Sequence, residues 1–182
     1  MKYLILSDIH GSRPCLEQAL AFYRAHHCDM LLLLGDILNY GPRNGVPDGL
    51  DAPAIATMLN DMADDIVAVR GNCDSEVDQM LLHFPIMQTT ALVVDDGHRI
   101  LLTHGHVYNA DNLPPGHYDL VCTGHTHRWT LAPQGPSWHL NTGSITFPKG
   151  GNPPTIAILD HGTLTVYNLT DGAVLQTAQL WR

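Results

Sequence analysis

The chain opens with Lys2-Tyr3-Leu4-Ile5-Leu6-Ser7-Asp8-Ile9-His10, in which a short apolar run leads directly into an aspartate and a histidine. An apolar run of this length, bounded by polar residues, predicts a buried strand. Similar runs at residues 30–34 and 66–69 lead into Gly35-Asp36 and Gly71-Asn72. Helical patterns cover residues 14–26, 53–63 and 75–84, the last with Ser75 as its N-cap. This alternation of strand and helix predicts a parallel sheet with helices on its faces.

The second half of the chain changes to short strands joined by turns. Hairpin signals lie at Asp95-Asp96-Gly97-His98, Asp160-His161-Gly162-Thr163 and Thr170-Asp171-Gly172. A further short strand covers residues 120–123 and ends at Gly124-His125. We expect this half to be antiparallel, and the whole chain, residues 1–182, to form one domain in which a two-sheet sandwich is flanked by helices.

The composition argues against several classes of protein. The 182 residues are 45% hydrophobic and carry a formal net charge of -9, with only nine Lys and Arg. No basic stripe is present to release counterions from a nucleic-acid backbone, so strong nucleic-acid binding is not expected. The four cysteines show no C-x-x-C spacing, and no apolar run approaches the roughly 18–20 residues of a membrane span. We therefore expect a cytoplasmic protein with no membrane partner.

Seven candidate metal ligands lie just beyond the carboxyl ends of predicted strands. Loops at that edge of an α/β sheet converge over a rigid scaffold, so residues far apart in the sequence meet there. Carboxylate and amide oxygens mixed with imidazole nitrogens suit divalent metal ions. Seven ligands with one shared carboxylate fit two ions about 3.5–4 Å apart, an arrangement that hydrolyses phosphoesters. The seven are Asp8, His10, Asp36, Asn72, His104, His125 and His127.

The spacing of these residues predicts which of them share an ion. Residues two apart in an extended segment project to the same side, so we expect Asp8 and His10 to reach one ion. His125 and His127 have the same spacing. Asp36 follows a strand and a glycine, and its carboxylate is the candidate bridge between the two ions.

The order of the motifs D-x-H, G-D, G-N-x-D, H-G-H and G-H-T-H is similar to that of the calcineurin-like metallophosphoesterases, in particular their small prokaryotic phosphodiesterase branch. The resemblance implies an α/β fold, a four-layer α/β/β/α sandwich of two mixed sheets (the metallophosphoesterase fold). It implies a hydrolase acting on phosphoric ester bonds. This would be a metal-dependent phosphodiesterase, in which a dinuclear metal centre activates a water or hydroxide to attack a small phosphodiester.

The resemblance also implies roles for individual residues. It gives each ion three ligands and adds one bridge: Asp8, His10 and His127 for the first ion, Asn72, His104 and His125 for the second, and Asp36 between them. Asn72, Cys73 and His104 would act in catalysis. Two divalent ions are expected, with Mn²⁺ favoured and Fe, Zn, Ni or Mg as alternatives.

Cys73 departs from a pattern that many family members share. Those members have G-N-H-D, in which the histidine is thought to assist the leaving group, whereas this chain has Gly71-Asn72-Cys73-Asp74. A thiol is a weaker hydrogen-bond donor, so substrates with good leaving groups should be favoured. The small phosphodiesterase branch commonly has cysteine here. A nucleophilic Cys73 is disfavoured, because it would need a nearby base and a depressed pKa, and the sequence shows neither.

Several neighbouring residues have two interpretations each. Asp74 either orients a ligand or stands at a helix start, and His106 either contacts the substrate phosphate or has a structural role. Asn141-Thr142-Gly143-Ser144 resembles an N-x-G-S segment of the family, although its composition also fits an ordinary turn. Arg13 either contacts the substrate phosphate or is a solvated residue at a helix start. Further candidates for the substrate pocket are Asn39, Tyr40 and Arg43.

Three alternatives to the phosphodiesterase are kept. Two share its chemistry, a phosphomonoesterase and a nuclease, and the acidic composition counts against the nuclease. The third is a non-catalytic scaffold like the retromer subunit of the same fold, whose metal site is degraded and whose surface binds partner proteins. The complete ligand set disfavours a scaffold. A homo-oligomer is a further expectation, because a strand-rich half leaves a sheet edge for a second copy.

Overall fold

The computed structural model describes residues 1–181, in which two β-sheets pack face to face and three α-helices cover one of them. The helices are α1 (Arg13–Ala25), α2 (Ala52–Asn60) and α3 (Glu76–Leu81), with a 3₁₀ turn at Ala63–Asp65. The strands are β1 (Lys2–Leu6), β2 (Met30–Leu33), β3 (Ile66–Ala68), β4 (Thr90–Asp95), β5 (His98–Thr103), β6 (Leu120–Thr123), β7 (Trp129–Gln134), β8 (Ser137–Thr142), β9 (Thr155–Asp160), β10 (Thr163–Asn168) and β11 (Val174–Gln179).

Both sheets are mixed, which confirms the predicted fold class. The first has the order β11-β10-β9-β1-β2-β3, with β1, β2 and β3 parallel and the C-terminal strands antiparallel to them. The second has the order β4-β5-β6-β8-β7. The prediction of an antiparallel second half was wrong in this sheet, because β5, β6 and β8 run parallel. Residues 104–119 join β5 to β6 and are long enough for the crossover that parallel strands require.

The continuous apolar runs arise because the central strands are buried on both faces. In β1, Tyr3 and Ile5 point between the sheets, whereas Leu4 and Leu6 point toward the helices. The inter-sheet core also receives alternate residues of β5 and β6 from the other side. Such strands lack the alternation of polar and apolar residues, so the sequence predicts them only from the length of the apolar run.

The helices lie on the outer face of the first sheet. Leu16, Ala19 and Leu20 form the buried stripe of α1, and Ser75 caps α3 in a capping box with Asp78, as predicted for this N-cap. The outer face of the second sheet is covered by residues 104–119, to which no helix is assigned among the described residues, so an irregular segment is the fourth layer. None of the helices in residues 1–181 has the length and apolar character of a membrane span.

The hairpin of β7 and β8 was missed by the sequence patterns. Pro133 lies within β7 and removes a backbone donor, which is a signal against a strand. The strand forms nevertheless because β7 is at the edge of its sheet, where an unpaired side tolerates proline. The remaining predicted strands and helices are present, with ends shifted by up to about three residues.

Candidate metal centre

The carboxyl ends of β1, β2, β3, β5 and β6 meet at one edge of the sandwich and bring the predicted ligands together. Asp8 lies at the centre of one group: its Oδ1 is 3.3 Å from Nε2 of His10 and 3.1 Å from Nε2 of His127. The two imidazole Nε2 atoms are themselves 3.2 Å apart. All three side chains are buried.

A second group forms around Asp36. Its Oδ2 is 3.5 Å from Nε2 of His104 and 3.8 Å from Nε2 of His10, so this carboxylate lies between the two groups. The amide oxygen of Asn72 is 3.2 Å from Nε2 of His104. Ligand atoms of Asp8, Asp36 and His104 all lie within 4.8 Å of one another, and the same holds for His10, Asp36 and Cys73.

His125 is the least buried of the four histidines in the predicted ligand set. Its ring lies 5.1 Å from that of His104 and 6.0 Å from that of His106, while its backbone N–H donates to Oδ2 of Asp8. His127, two residues later, instead meets Asp8 and His10. Although their spacing equals that of Asp8 and His10, His125 and His127 therefore join different groups of side chains.

The ring orientations turn lone pairs toward the centre. The Nδ1 atoms of His10, His104 and His127 face backbone carbonyls at 3.0, 2.7 and 2.7 Å. A carbonyl only accepts hydrogen bonds, so Nδ1 carries the proton and the neutral ring presents an unprotonated Nε2. Such a carbonyl partner is typical of metal-ligating histidine.

The centre contains an excess of acceptors that a cation would satisfy. Among residues 1–181, Oδ1 of Asp8 is the one buried side-chain nitrogen or oxygen without a hydrogen-bond partner. It faces two imidazole nitrogens that are acceptors when neutral, so either a proton or a metal ion must lie between them. Buried polar atoms are normally paired, and an orphan acceptor of this kind fits a ligand of a divalent ion.

The ionisation of the metal-free centre reflects the same crowding. Burial raises the pKa of Asp8, but the contacts with His10 and His127 outweigh burial and hold its pKa well below the usual range. Burial lowers the pKa of His104, whereas Asp36 and Asp8 raise it to about 9. The carboxylates are therefore ionised, and protons on imidazole take the place that a cation would fill.

The backbone of the ligand loops is left-handed rather than extended. Asp8 and His10 have φ of 58° and 50°, and His125 and His127 have φ of 68° and 60°. The extended geometry assumed from the sequence was therefore wrong. The i, i+2 pair of Asp8 and His10 still converges, because both residues turn in the same loop after β1.

Cys73 and Asp74 have different surroundings. Burial, and then the carboxylate of Asp36, raise the pKa of Cys73 to about 12, which disfavours a thiolate nucleophile. Asp74 is 2% exposed and accepts backbone N–H groups of Asp36, Ile37 and Gly71 at 2.7–2.8 Å. It holds two ligand loops together and does not cap α3, whose N-cap is Ser75.

The N-x-G-S segment is more than an ordinary turn. Asn141 donates to the carbonyl of Gly124 at 2.7 Å, beside His125. The hydroxyl of Ser144 is fully buried, donates to the carbonyl of Asp8 at 2.9 Å and accepts the N–H groups of Thr146 and Phe147. The segment thus fixes the loops that carry the histidines.

A pocket of about 600 Å³ opens over the centre. Asn39, Arg43 and Cys73 line it, together with Lys149, which no sequence motif indicated. Arg13 instead pairs with Glu17 and Asp51 in α1 and the loop before α2, away from the pocket. The remaining candidates lie outside the pocket lining: Tyr40 borders a separate recess and His106 packs its exposed ring against His104.

Comparison with known proteins identifies the family of this chain. Residues 1–163 match the calcineurin-like phosphoesterase superfamily domain. The chain belongs to the calcineurin-like phosphoesterase superfamily. Within the superfamily it is 44% identical over 176 residues to the phosphodiesterase YfcE of Escherichia coli K12, covering 96% of each chain. The resemblance to the small prokaryotic phosphodiesterases is confirmed.

Several solved structures share the fold over all or nearly all of this chain. The structure of YfcE, a phosphoesterase from E. coli, matches 100% of both chains with a TM-score of 0.96 at 42% identity. An archaeal phosphodiesterase covers 98% of this chain with a TM-score of 0.66 at 20% identity. Vps29 of Entamoeba histolytica, complexed with Zn²⁺, covers all of it with a TM-score of 0.67 at 22% identity. At these lower identities the likeness concerns the fold alone.

Proposed function

We propose that this chain is a metal-dependent phosphodiesterase that hydrolyses small phosphodiesters with a water or hydroxide activated by two divalent ions. One observation carries the proposal: carboxylate oxygens and imidazole Nε2 atoms face one another at 3.1–3.8 Å, and Oδ1 of Asp8 has no hydrogen-bond partner among the described residues. Membership of the phosphoesterase superfamily and 44% identity to YfcE support the reaction class.

The proposed ligands follow the two groups of side chains. The position of Asp36 between His10 and His104 supports its role as the bridge. The proposed sets are Asp8, His10 and His127 for the first ion, and Asn72, His104 and His125 for the second. When bound, the ions lower the pKa of the attacking water and neutralise the phosphoryl oxygens.

The protein's own residues would bind and orient the substrate. Arg43 and Lys149 line the pocket and have no carboxylate partner among the described residues, so their charge is free to attract a phosphodiester anion. Asn72, Cys73 and His104 are the proposed catalytic residues. Because the Cys73 thiol is a weak acid, we expect esters with good leaving groups to react fastest.

The metal, location and assembly are part of the same proposal. Manganese is the proposed ion, which suits a mixture of oxygen and imidazole ligands. All four cysteines are free, which supports the cytoplasm as the location. Edge strand β4 exposes Leu92 and Val94, at 45% and 59%, and supports a homo-oligomer formed by pairing at this edge.

The experiment is hydrolysis of bis-p-nitrophenyl phosphate by metal-stripped protein titrated with manganese, with p-nitrophenyl phosphate as the monoester control. We expect manganese to restore activity and the diester to be preferred. Preference for the monoester would make the enzyme a phosphatase. Stoichiometric metal binding without hydrolysis of either ester would contradict the proposal and favour the scaffold.

A further inference from the structure

A second recess adjoins the pocket over the metal centre. This groove of about 490 Å³ lies on the outer face of the second sheet, between β7, β8 and the segment after β5. Thr126 lines both the pocket and the groove, so the two cavities meet beside His125. Gly105 and Gly124, which flank the ligand loops, form the near end of the groove.

The groove differs from the pocket in its chemistry. Within residues 1–181, its lining contains no Asp, Glu, Lys or Arg and includes Ala132 and Pro133, whereas the pocket has Arg43 and Lys149. Two amides in the groove are already engaged, since Asn141 donates to Gly124 and Gln134 to Ala110. An occupant therefore meets no charged side chain from this part of the chain, and it contacts apolar atoms together with threonine side chains such as Thr123 and Thr130.

His139 is the exception within the groove. Its half-buried imidazole makes no hydrogen bond to any described residue, and burial lowers its pKa, so the ring is neutral at pH 7. A neutral imidazole offers one donor, one acceptor and a flat face that stacks on another aromatic ring. An aryl ring can stack on the flat face, and a heteroaryl ring can in addition pair with the donor or the acceptor.

A phosphodiester has two ester substituents, whereas a monoester has one, so a diester can occupy two adjoining recesses around the phosphate. We propose that the groove binds an aromatic ester substituent of the substrate, while the pocket holds the phosphate and the other substituent. This inference rests on the proposed function and deepens it, since it names the substrate class as aryl or heteroaryl phosphodiesters. The volume falls in the range of about 300–1,000 Å³ that is typical of small-molecule sites.

The test fills the groove and measures binding directly. Thr130 is exposed on β7 and lines the groove, and Thr130→Trp places an indole there. Thr177→Trp is the matched control, on the exposed edge strand β11 of the other sheet. Calorimetry of the manganese-loaded proteins compares phenylphosphonate with methylphosphonate, which shares the phosphonate but lacks the ring.

We expect Thr130→Trp to weaken phenylphosphonate about tenfold and to leave methylphosphonate unchanged, because the ring loses its place and the phosphonate does not. The KM for bis-p-nitrophenyl phosphate should rise by a similar factor. Thr177→Trp should change neither ligand. His139→Ala, which adds no bulk, should weaken phenylphosphonate about threefold through lost stacking.

Equal binding of phenylphosphonate by wild type, Thr130→Trp and His139→Ala would overturn the inference. Equal weakening of both phosphonates by Thr130→Trp would also overturn it, because the groove would then act on the phosphate site rather than on the ring. Absence of manganese-dependent hydrolysis in the wild type would instead refute the proposed function, and this outcome is read separately from the binding data.

Discussion

Replacing Ser144 with alanine removes three hydrogen bonds from beneath the Asp8 loop. The hydroxyl donates to the carbonyl of Asp8 at 2.9 Å and accepts the N–H groups of Thr146 and Phe147 at 3.1 and 2.8 Å. Phe147 in turn accepts the Nδ1 proton of His127 at 2.7 Å. One small side chain therefore orients both an aspartate and a histidine of the proposed first ion site.

The cost follows from the three bonds and their burial. Ser144 is fully buried, so water does not replace the lost partners. At about 1 kcal/mol per neutral hydrogen bond, we expect the free energy of unfolding to fall by about 3 kcal/mol. For a domain of this size that corresponds to a Tm lower by about 6–12 °C. Because the ligands lose their orientation, metal affinity should fall about 10–100-fold.

Ser137→Ala is the matched control. Ser137 is also buried and begins β8, away from the centre. Its hydroxyl makes a single hydrogen bond, which it donates to the carbonyl of Tyr118. Ser137→Ala should lower the free energy of unfolding by about 1 kcal/mol and leave the manganese affinity unchanged. Urea unfolding of the metal-free proteins and manganese titration measure the two effects. Equal stability loss in both variants, with unchanged metal affinity, would refute the reasoning.

Three further changes probe the centre. His125→Ala should lower the rate of hydrolysis by about 100-fold or more. The circular dichroism spectrum should change little, because the half-buried ring contributes little to the core. Cys73→Ser should keep hydrolysis within about tenfold, since a thiol with a pKa of about 12 is not the nucleophile. Burial lowers the pKa of His104, but Asp36 and Asp8 raise it to about 9, so metal binding should release a proton at pH 7 and apparent manganese affinity should rise about tenfold per pH unit up to pH 9 for each proton displaced.

Each of these outcomes has a clear opposite. Full activity of His125→Ala would remove that residue from the proposed second ion site. Complete loss of activity in Cys73→Ser, together with a covalent adduct in mass spectrometry, would restore the nucleophilic cysteine. Calorimetry in buffers of different ionisation enthalpy counts the released protons, and a count of zero at pH 7 would contradict a protonated His104. Because the pKa of His104 is raised from 6.5 to about 9 in the folded state, the free energy of unfolding of the metal-free protein should fall as the pH rises from about 6.5 to about 9.

Much of the fold and of the candidate site was predictable because both depend on local signals. Apolar runs gave the central strands, and the polar residues after them gave Asp8, Asp36 and Asn72. Convergence of these residues required only that the parallel strands end at one edge. Ser75 was identified as an N-cap because capping depends on residues within one turn.

Other features depend on contacts between distant segments, and the sequence did not show them. β6 pairs in parallel with β8, while β7, which lies between them in the sequence, is placed at the edge of the sheet. No turn signal predicts this order. Lys149 reaches the pocket from a Gly-rich loop after the last motif. The sequence left two roles open for Asp74, because the choice between them depends on three backbone donors that lie on two different loops.

The backbone at the centre supports a binding role over a purely structural one. Eight non-glycine residues among positions 1–181 have a left-handed φ, and five of them belong to the proposed ligand set: Asp8, His10, Asp36, His125 and His127. Glycine adopts this conformation without the cost of about 1 kcal/mol per residue that a side chain imposes. A scaffold would be more stable with glycine at these positions, and buried carboxylates and imidazoles add a further desolvation cost. A bound cation offsets both costs, since it stabilises only the folded state. The energetics of the loops therefore agree with a metal-dependent enzyme and disfavour a scaffold that lacks metal.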